Sequence, residues 1–402
     1  MSKVEVPRLR RLLRTSKAPI ILSGPYGSYA AERMAKRLSA SPQSGMHTPI
    51  DSTIGVGLAL FSGHGREELE EIATEYARSV PRDQPMALTT PTYRIQHKTL
   101  NLARTRNPAL NAGLPGMGLQ AILHSERLAL NAIRRSGRRR ENTLIFMSIG
   151  TPFDSYRGED TPLDILNETL PQVFAAVRYA KHVDNLMFET VPSLDAAIAA
   201  ARAFKISHDR LNIHEFTERE WSPKLLDYLG MTPEINVAQG IIQKTALAYD
   251  HKAGTYGSIK PTKTYTISFN LDRGGKVLVR SKQDPHKFVG ISLNEAIKRL
   301  NEVIRTEGLI RPEAITLNCN SPEHTRKHIS EGVSGVHMNR AIVADSRKYG
   351  SITQDDEMPH HEFVQSLKAL QRARKLRIVG VCCGGTPELV REIARGMRES
   401  RH

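Results

Sequence analysis

The chain alternates between short apolar runs and longer segments whose apolar residues recur with helical spacing. Eight short runs are rich in Val, Ile, Leu, Phe and Met, a pattern typical of buried parallel strands. They cover residues 19–24, 86–90, 143–150, 185–191, 264–271, 314–317, 335–343 and 376–381. Apolar residues at i, i+3 and i+4 predict the intervening helices. These cover residues 29–38, 67–80, 118–135, 162–182, 194–204, 293–306, 360–374 and 387–397, and a short helix begins at residue 322.

Polar residues mark where several helices begin. Thr161, Ser321 and Thr386 each precede a proline, and Ser193 and Ser292 precede apolar helical segments. A hydroxyl at the cap accepts a backbone N–H of the first turn, and proline suits the first helical position. These residues are therefore predicted to be helix N-caps.

Eight strands alternating with helices indicate an α/β protein with a parallel sheet, and eight strands close a TIM-type (β/α)8 barrel. We predict one barrel domain over residues 18–402; an open doubly wound sheet is the alternative. Residues 205–263 interrupt the alternation after the fourth strand–helix unit and are interpreted as an insertion or lid containing some helix. Residues 272–275 are predicted to turn so that 276–280 returns in a hairpin. The basic segment 1–17 is interpreted as a solvated helix or disordered tail, with a transit peptide as the alternative.

Charge and composition exclude several classes of protein. The net charge of +15 permits weak binding to anionic polymers, but only 5% of residues are aromatic and no nucleic-acid-binding module is evident. We therefore expect no nucleic-acid partner. No run of about eighteen apolar residues occurs, so no membrane span is expected. The odd number of 3 cysteines argues against a disulfide framework and for a reducing, cytoplasmic location.

Polar side chains and all of the cysteines fall where the predicted strands end. In a TIM barrel the carboxyl ends of the strands meet at one face, which carries the active site. The residues predicted there are Ser23, Thr90, Thr92, Ser148, Glu189, Cys319, Cys382 and Cys383. We therefore expect the functional site of this chain at that face.

The cysteines carry the strongest chemical signal. Cys319 follows the sixth predicted strand, whereas Cys382 and Cys383 follow the eighth, so one strand separates them. Adjacent residues of a regular strand face opposite sides, but the glycines at 384 and 385 allow a bend that turns both sulfurs inward. Three thiolates suit Zn²⁺ and leave its fourth tetrahedral position open, as in catalytic sites. The alternatives are buried small hydrophobic residues and a regulatory disulfide between the adjacent cysteines.

These cysteine segments resemble the two zinc motifs of the homocysteine S-methyltransferase family. The two segments are Asn-Cys-Asn-Ser-Pro-Glu at 318–323 and Val-Cys-Cys-Gly-Gly-Thr-Pro-Glu at 381–388. Further segments resemble family motifs in the same order: 21–28 the first-strand motif, 88–94 the second-strand segment, 156–158 the Tyr-Arg-Gly after the third strand, and 188–193 the Phe-Glu-Thr-Ile-Pro-Ser motif. The resemblance covers most of residues 18–398, and the paired cysteine motifs are its specific part.

The resemblance implies zinc-dependent transfer of a methyl group to a thiol, with Cys319, Cys382 and Cys383 as the zinc ligands and catalytic centre. Glu189 matches the glutamate that binds the amino group of the acceptor; a helix cap or a salt bridge is the alternative role. Ser23, Gly24, Thr92 and Ser148 are the other expected substrate contacts, Thr92 either as a hydrogen-bond donor or as a solvated turn residue. The expected partners are a small thiol such as homocysteine, which would yield methionine, and a small sulfonium or betaine donor. A homo-oligomer is compatible with these expectations.

The chain departs from the family pattern at several positions. Ser23 stands where the first-strand motif has aspartate, residues 150–153 replace Gly-Pro-Tyr-Gly, Gly380-Val381 replaces two glycines, and the insertion has no clear counterpart. The zinc ligands are thus better determined than the acceptor, which can be another thiol, including an anionic one. Two other hypotheses stay open: a zinc-assisted lyase or demethylase, and a non-catalytic zinc-binding protein whose site is closed by His337 or His360.

Overall fold

A closed parallel barrel forms the centre of the computed structural model, which describes residues 6–24, 29–30, 33, 56–57, 59–106, 116–151, 161–209, 222–229, 263–281, 283–284, 287–340 and 358–399. Its strands, in chain order, are β1 (Ile20–Leu22), β2 (Met86–Thr89), β3 (Thr143–Gly150), β4 (Asn185–Val191), β5 (Thr264–Phe269), β6 (Lys276–Arg280), β7 (Phe288–Ser292), β8 (Ala314–Asn318), β9 (Gly335–Met338) and β10 (Ile378–Val381). The barrel order is β1-β10-β9-β8-β5-β4-β3-β2. The predicted TIM-type (β/α)8 fold is confirmed, and the open-sheet alternative is wrong.

Helices precede β1, lie between the barrel strands and follow β10. They are α1 (Arg8–Thr15), α2 (Gly63–Ser79), α3 (His97–Arg106), α4 (Met117–Arg135), α5 (Pro162–Tyr179), α6 (Leu194–His208), α7 (Ser222–Leu229), α8 (Leu293–Thr306), α9 (Pro322–His328), α10 (His360–Arg374) and α11 (Pro387–Glu399). The predicted caps are confirmed, since each predicted cap hydroxyl accepts a backbone N–H three residues later. Helix α3 lies between the second and third predicted strands, in a segment where the sequence predicts no helix before residue 118.

Helix α1 closes the N-terminal end of the barrel. Leu9 and Leu12 are buried in the apolar cluster that fills the barrel interior. The other buried members are Ile20, Leu22, Ala87, Leu144, Phe146, Met187, Ala314 and Ile378. Arg8 pairs with Asp184 at 2.9 Å. Residues 8–15 of the basic segment are therefore neither a fully solvated helix nor a disordered tail, because the i, i+3 spacing of Leu9 and Leu12 gives this helix an apolar face.

The predicted hairpin after β5 has a different partner from the one expected. The turn forms, since the N–H of Gly275 donates to the carbonyl of Asp272 at 2.9 Å. Strand β6, however, pairs antiparallel with β7 in a separate two-stranded sheet. The reason is that β4 and β8 already occupy both edges of β5 in the closed barrel.

The insertion predicted at 205–263 contains helix, as expected, because α7 lies within it. Helix α6 extends to His208, so the break in the alternation begins a few residues later than predicted. Most of the insertion, the turn at 25–28 and the segment 156–158 lie outside the described residues. Among the residues that are described, no helix has both the length and the apolar character that a membrane span needs.

Candidate metal centre and active site

Three cysteine sulfurs converge at the carboxyl end of the barrel. Cys319 follows β8, and Cys382 and Cys383 follow β10; their Sγ atoms all lie within 4.8 Å of one another. Cys319 and Cys382 are buried, Cys383 is partly exposed, and all three are free thiols. The structure thus brings together the cysteines that the sequence places on separate strands.

A tight turn directs the adjacent cysteines. The N–H of Gly385 donates to the carbonyl of Cys382 at 3.2 Å, which closes a four-residue turn. Gly384, the third residue of this turn, has a φ of 75°. A positive φ at that position is the requirement of a type II turn and favours glycine. Gly384 therefore supplies the bend that the sequence assigned to both glycines.

One cysteine of the cluster and one residue beside it also have left-handed backbone conformations. Thr190 has a φ of 56° and Cys319 a φ of 57°. Threonine is branched at Cβ, so this conformation is a genuine outlier for it. Such residues each cost on the order of 1–3 kcal/mol and occur where the surroundings hold them, often at functional sites.

The pKa values of the adjacent thiols are shifted in opposite directions. Hydrogen bonds with Cys319 and Cys382 lower the pKa of Cys383 well below its usual range. Hydrogen bonds with Cys319 and Cys383, together with burial, raise the pKa of Cys382. The cluster therefore loses one proton readily, whereas further ionisation places negative sulfurs against each other without a compensating charge.

This donor set fits a zinc ion. Thiolates bind Zn²⁺ at about 2.3 Å in tetrahedral geometry, which separates neighbouring sulfurs by about 3.8 Å. The observed limit of 4.8 Å is close enough for all three to reach one ion after a small movement. A divalent cation would also supply the charge that full ionisation of the thiols needs. Within the described part of the chain, no histidine or carboxylate joins the group.

Neither histidine considered as a fourth ligand belongs to the cysteine cluster. The ring nitrogens of His360 are 3.0 Å from an Arg340 guanidinium nitrogen and 3.1 Å from a Glu392 carboxylate oxygen. His337 is fully buried in β9. Burial lowers its pKa to about 4, although the carbonyl of Val381 and the charge of Cys383 oppose the shift.

Glu189 lies at the end of β4, beside the cysteines. From Phe188 to Val191, β4 advances one residue more than its partner β5, so Glu189 and Thr190 form a β-bulge. Burial raises the pKa of Glu189 to about 7; a hydrogen bond with Ser148 opposes this rise, and the charge of Cys383 adds to it. An ammonium group bound here would favour the carboxylate form and be held by it.

Neither alternative role proposed for Glu189 is seen among the described residues. Ser193, not Glu189, caps α6, because its hydroxyl accepts the N–H of Ala196 at 3.2 Å. In that same part of the chain, no cationic side chain forms an ion pair with Glu189.

Thr92 is buried and has internal hydrogen-bond partners. Its hydroxyl donates to the carbonyl of Ser148 at 2.6 Å and lies 2.7 Å from the hydroxyl of Thr90. With its single proton used in this way, Thr92 can offer a ligand only an acceptor. The burial also differs from the solvated turn residue that was the other expectation.

Gly24 makes room for the ring of Tyr76. From the sequence, Tyr76 is expected only to lie on the apolar face of its helix. A Cβ at position 24 would lie 2.6 Å from the ring of Tyr76. The Tyr76 hydroxyl donates to the carbonyl of Gly385 at 2.9 Å, so α2 supports the turn that holds the cysteines. Nothing in the helical spacing of Tyr76 indicates this contact, because the contact depends on how the chain ends of β1 and β10 meet.

Comparisons with known proteins agree with the fold and with the sequence motifs. The sequence model of the family described as homocysteine S-methyltransferase matches residues 45–397. A comparison with curated proteins gives no match. Among solved structures, the chain is similar to the homocysteine methyltransferase MmuM from Escherichia coli in its oxidized, metallated and apo forms. The identities are 16%, 16% and 15%, and the TM-scores are 0.52, 0.52 and 0.51.

These alignments cover 96% of this chain and 98%, 99% and 98% of the three MmuM chains, so the likeness extends over the whole barrel. At such low identity the solved structures show the shared fold alone. The family match extends from before α2 into α11 and includes all of the cysteines. This chain therefore belongs to the homocysteine S-methyltransferase family and is a methyltransferase.

Proposed function

We propose that this protein transfers a methyl group from a small sulfonium or betaine donor to a thiol held by zinc, with homocysteine or a related thiol as the acceptor. The observation that carries the proposal is the convergence of the Cys319, Cys382 and Cys383 sulfurs within 4.8 Å at the barrel mouth. These residues would hold the ion. When bound there, Zn²⁺ would act as a Lewis acid that lowers the pKa of the acceptor thiol.

The side chains around the cluster serve binding and orientation. Glu189 would hold an amino group of the acceptor, because its buried carboxyl lies beside Cys383 and Ser148 and pairs with no cation of the described chain. Because Cys319 and Cys382 are buried, they would shield one side of the acceptor sulfur from water. The attacking thiolate forms a sulfur–carbon bond with the donor methyl group while the bond from that carbon to the donor heteroatom breaks.

The charges of this reaction favour a site shielded from water. A thiolate and a cationic donor are both neutralised as the methyl group moves, so charge falls in the transition state. The electron pair of the broken bond stays on the donor heteroatom, and the thiol proton leaves for solvent when the acceptor binds. No general base is required once the acceptor is a thiolate. The roles of the protein are therefore to bind the two substrates in line and to exclude water.

A screen of acceptors and donors tests the proposal. The purified zinc-loaded protein is incubated with a set of thiols and a set of methyl donors, and methylated thiols are identified by mass spectrometry. Cys383→Ser is expected to lose both stoichiometric zinc and methyl transfer. Thr386→Ser is the matched control, because it keeps the hydroxyl that accepts the N–H of Leu389 at the start of α11. It should retain both properties.

The screen also separates the remaining hypotheses. Absence of a methylated thiol with every substrate pair would contradict the proposal and favour a lyase or demethylase. Retention of zinc and transfer in Cys383→Ser would contradict the assigned ligands. In a non-catalytic protein with a closed site, the visible spectrum of a cobalt-substituted sample would not change when thiol is added.

A further inference from the structure

We infer that Asn318 is a positioning residue. It holds the proposed ligand Cys319 in a fixed position relative to the end of β4, which carries Glu189. The inference rests on the proposed role of Cys319 as a ligand and of Glu189 in acceptor binding. Asn318 is the last residue of β8 and is fully buried. It directly precedes Cys319, and its side chain points to Thr190, which directly follows Glu189.

The side-chain amide of Asn318 bonds to Thr190 twice. Its Oδ1 accepts the backbone N–H of Thr190 at 2.9 Å, and its Nδ2 donates to the Thr190 hydroxyl at 3.0 Å. The orientation of the amide follows from these bonds, because only the oxygen can accept from the backbone N–H. Thr190 has positive φ, so these bonds hold the bulge of β4 in a conformation that threonine alone disfavours.

The same contacts reach the sulfur of Cys319. Asn318 Nδ2 lies 3.8 Å from Cys319 Sγ, and the Thr190 hydroxyl lies 4.0 Å from it. Cys319 itself has positive φ, and its N–H is bonded to the carbonyl of His337 at 3.1 Å. The amide group thus joins two residues with left-handed backbone conformations, one in β4 and one directly after β8.

The strands joined in this way are not neighbours in the barrel. Strand β5 lies between β4 and β8, and Asn318 bridges the two across its end. The backbone ladders bond β4 and β8 each to β5, and none bonds these two strands directly to each other. The Asn318 side chain supplies that link, so the distance between the Cys319 sulfur and the Glu189 strand end depends on it.

The segment around Cys319 offers a matched control. Asn320, on the other side of the cysteine, is also buried and also forms two amide hydrogen bonds, to the N–H and the carbonyl of Leu271 at 3.4 and 3.2 Å. Its side chain bonds to the chain after β5, and none of its described hydrogen bonds involves Thr190 or the cysteines. Loss of either amide removes a similar number of buried bonds, but only Asn318 lies between the ligand and β4.

The test compares Asn318→Ala with Asn320→Ala in two measurements. The dissociation constant for Zn²⁺ is measured by competition with a chromophoric chelator, and hydrogen exchange of the Thr190 amide is followed in metal-free protein. Asn318→Ala is expected to weaken zinc binding on the order of 10–100-fold, the usual effect of losing a partner of a metal ligand. It should also accelerate exchange at Thr190. Asn320→Ala should change neither.

Equal zinc affinity in the two variants, or an unchanged exchange rate at Thr190 in Asn318→Ala, would overturn the inference. A general loss of folding would affect both variants and is checked by their unfolding midpoints. If Asn318→Ala does not fold, Thr190→Val removes the same hydroxyl contacts and should weaken zinc binding in the same direction. Neither measurement needs a methyl donor, so a failure of the proposed methyl transfer would leave this result interpretable.

Discussion

The hydroxyl oxygens of Ser23 and Thr89 lie 2.9 Å apart at the ends of β1 and β2. Ser23 Oγ also accepts the backbone N–H of Thr89 at 2.9 Å. The side chain of Ser23 thus continues the hydrogen bonding between the two strands beyond Leu22, where β1 ends. Ser23, which stands where the family motif has aspartate, therefore bonds to the protein's own backbone. Under the proposed function, Glu189 is the carboxylate left to bind the amino group of the acceptor.

Ser23→Ala is expected to destabilise the protein by about 1–3 kcal/mol, because the buried N–H of Thr89 loses its acceptor. Urea unfolding of the metal-free protein measures this change. Ser125→Ala is the control, since Ser125 is equally buried but its hydroxyl donates to the carbonyl of Ala121 within α4. That carbonyl keeps its backbone hydrogen bond within the helix, so the control should lose little stability. An equal loss in both variants would show that Ser23 does not support the strand end.

The buried imidazole of His337 predicts a specific pH dependence of stability. Its folded pKa of about 4 lies below the ordinary value of 6.5. As pH falls from 6.5 toward 4, the unfolded chain binds a proton that the folded chain excludes. The stability that the neutral imidazole contributes is therefore present above pH 6.5 and is lost toward pH 4. The loss from this group is on the order of 3 kcal/mol.

His337→Leu should remove that part of the pH dependence. Urea unfolding of metal-free protein at both ends of the window measures it, with His361→Leu as the control because the His361 side chain is 78% exposed. The pH profile of the control should match that of the unsubstituted protein. If His337→Leu also leaves the profile unchanged, another group causes the acid sensitivity.

The barrel and the cysteine cluster could be predicted because both depend on local patterns. Apolar runs mark the strands, the number of strands determines closure, and closure brings the strand ends together. Strand β7 was not predictable, because none of its residues is buried and Gly290 interrupts its short apolar stretch. The contacts of Tyr76 and Asn318 depend on which strand ends meet across the mouth. That relation exists only in the folded barrel and leaves no periodic signal.

Gly384 should be required for metal binding and not only for stability. Its φ of 75° is strained for any other residue, and its carbonyl accepts from the Arg340 guanidinium at 3.1 Å. Gly384→Ala is expected to cost about 1–2 kcal/mol in unfolding free energy. It should also weaken zinc binding, because the turn that directs Cys382 and Cys383 relaxes. Urea unfolding and chelator competition measure the two effects.

Gly308→Ala separates these effects. Gly308 has a φ of 61° after the end of α8, and nothing lies within 4 Å of a Cβ added there. The substitution therefore carries the same backbone strain at a position remote from the cysteines. It should lose similar stability and keep the zinc affinity. Equal zinc affinity in both variants would mean that the turn is not needed to direct the sulfurs.

Gly118 is expected to determine how the inserted helix α7 packs on the barrel. A Cβ added at Gly118 in α4 would lie 2.2 Å from the ring of Tyr228, which is almost completely buried. Alanine normally stabilises a helix relative to glycine by about 0.5–1 kcal/mol. Here the clash should reverse the sign, and Gly118→Ala is expected to lose about 1–3 kcal/mol. Thermal unfolding measures the loss.

A second readout comes from Trp221, the single tryptophan, which directly precedes α7 in the chain. Its emission should change in Gly118→Ala if the helix moves. Gly63→Ala in α2 is the matched control, because the nearest atom to its added Cβ is 4.0 Å away, so this variant should gain stability and leave the emission unchanged. A stabilising effect of Gly118→Ala would show that Tyr228 can leave its place without cost. The packing of α7 on the barrel would then depend on its other contacts, which include the ion pair between Lys224 and Glu168 of α5.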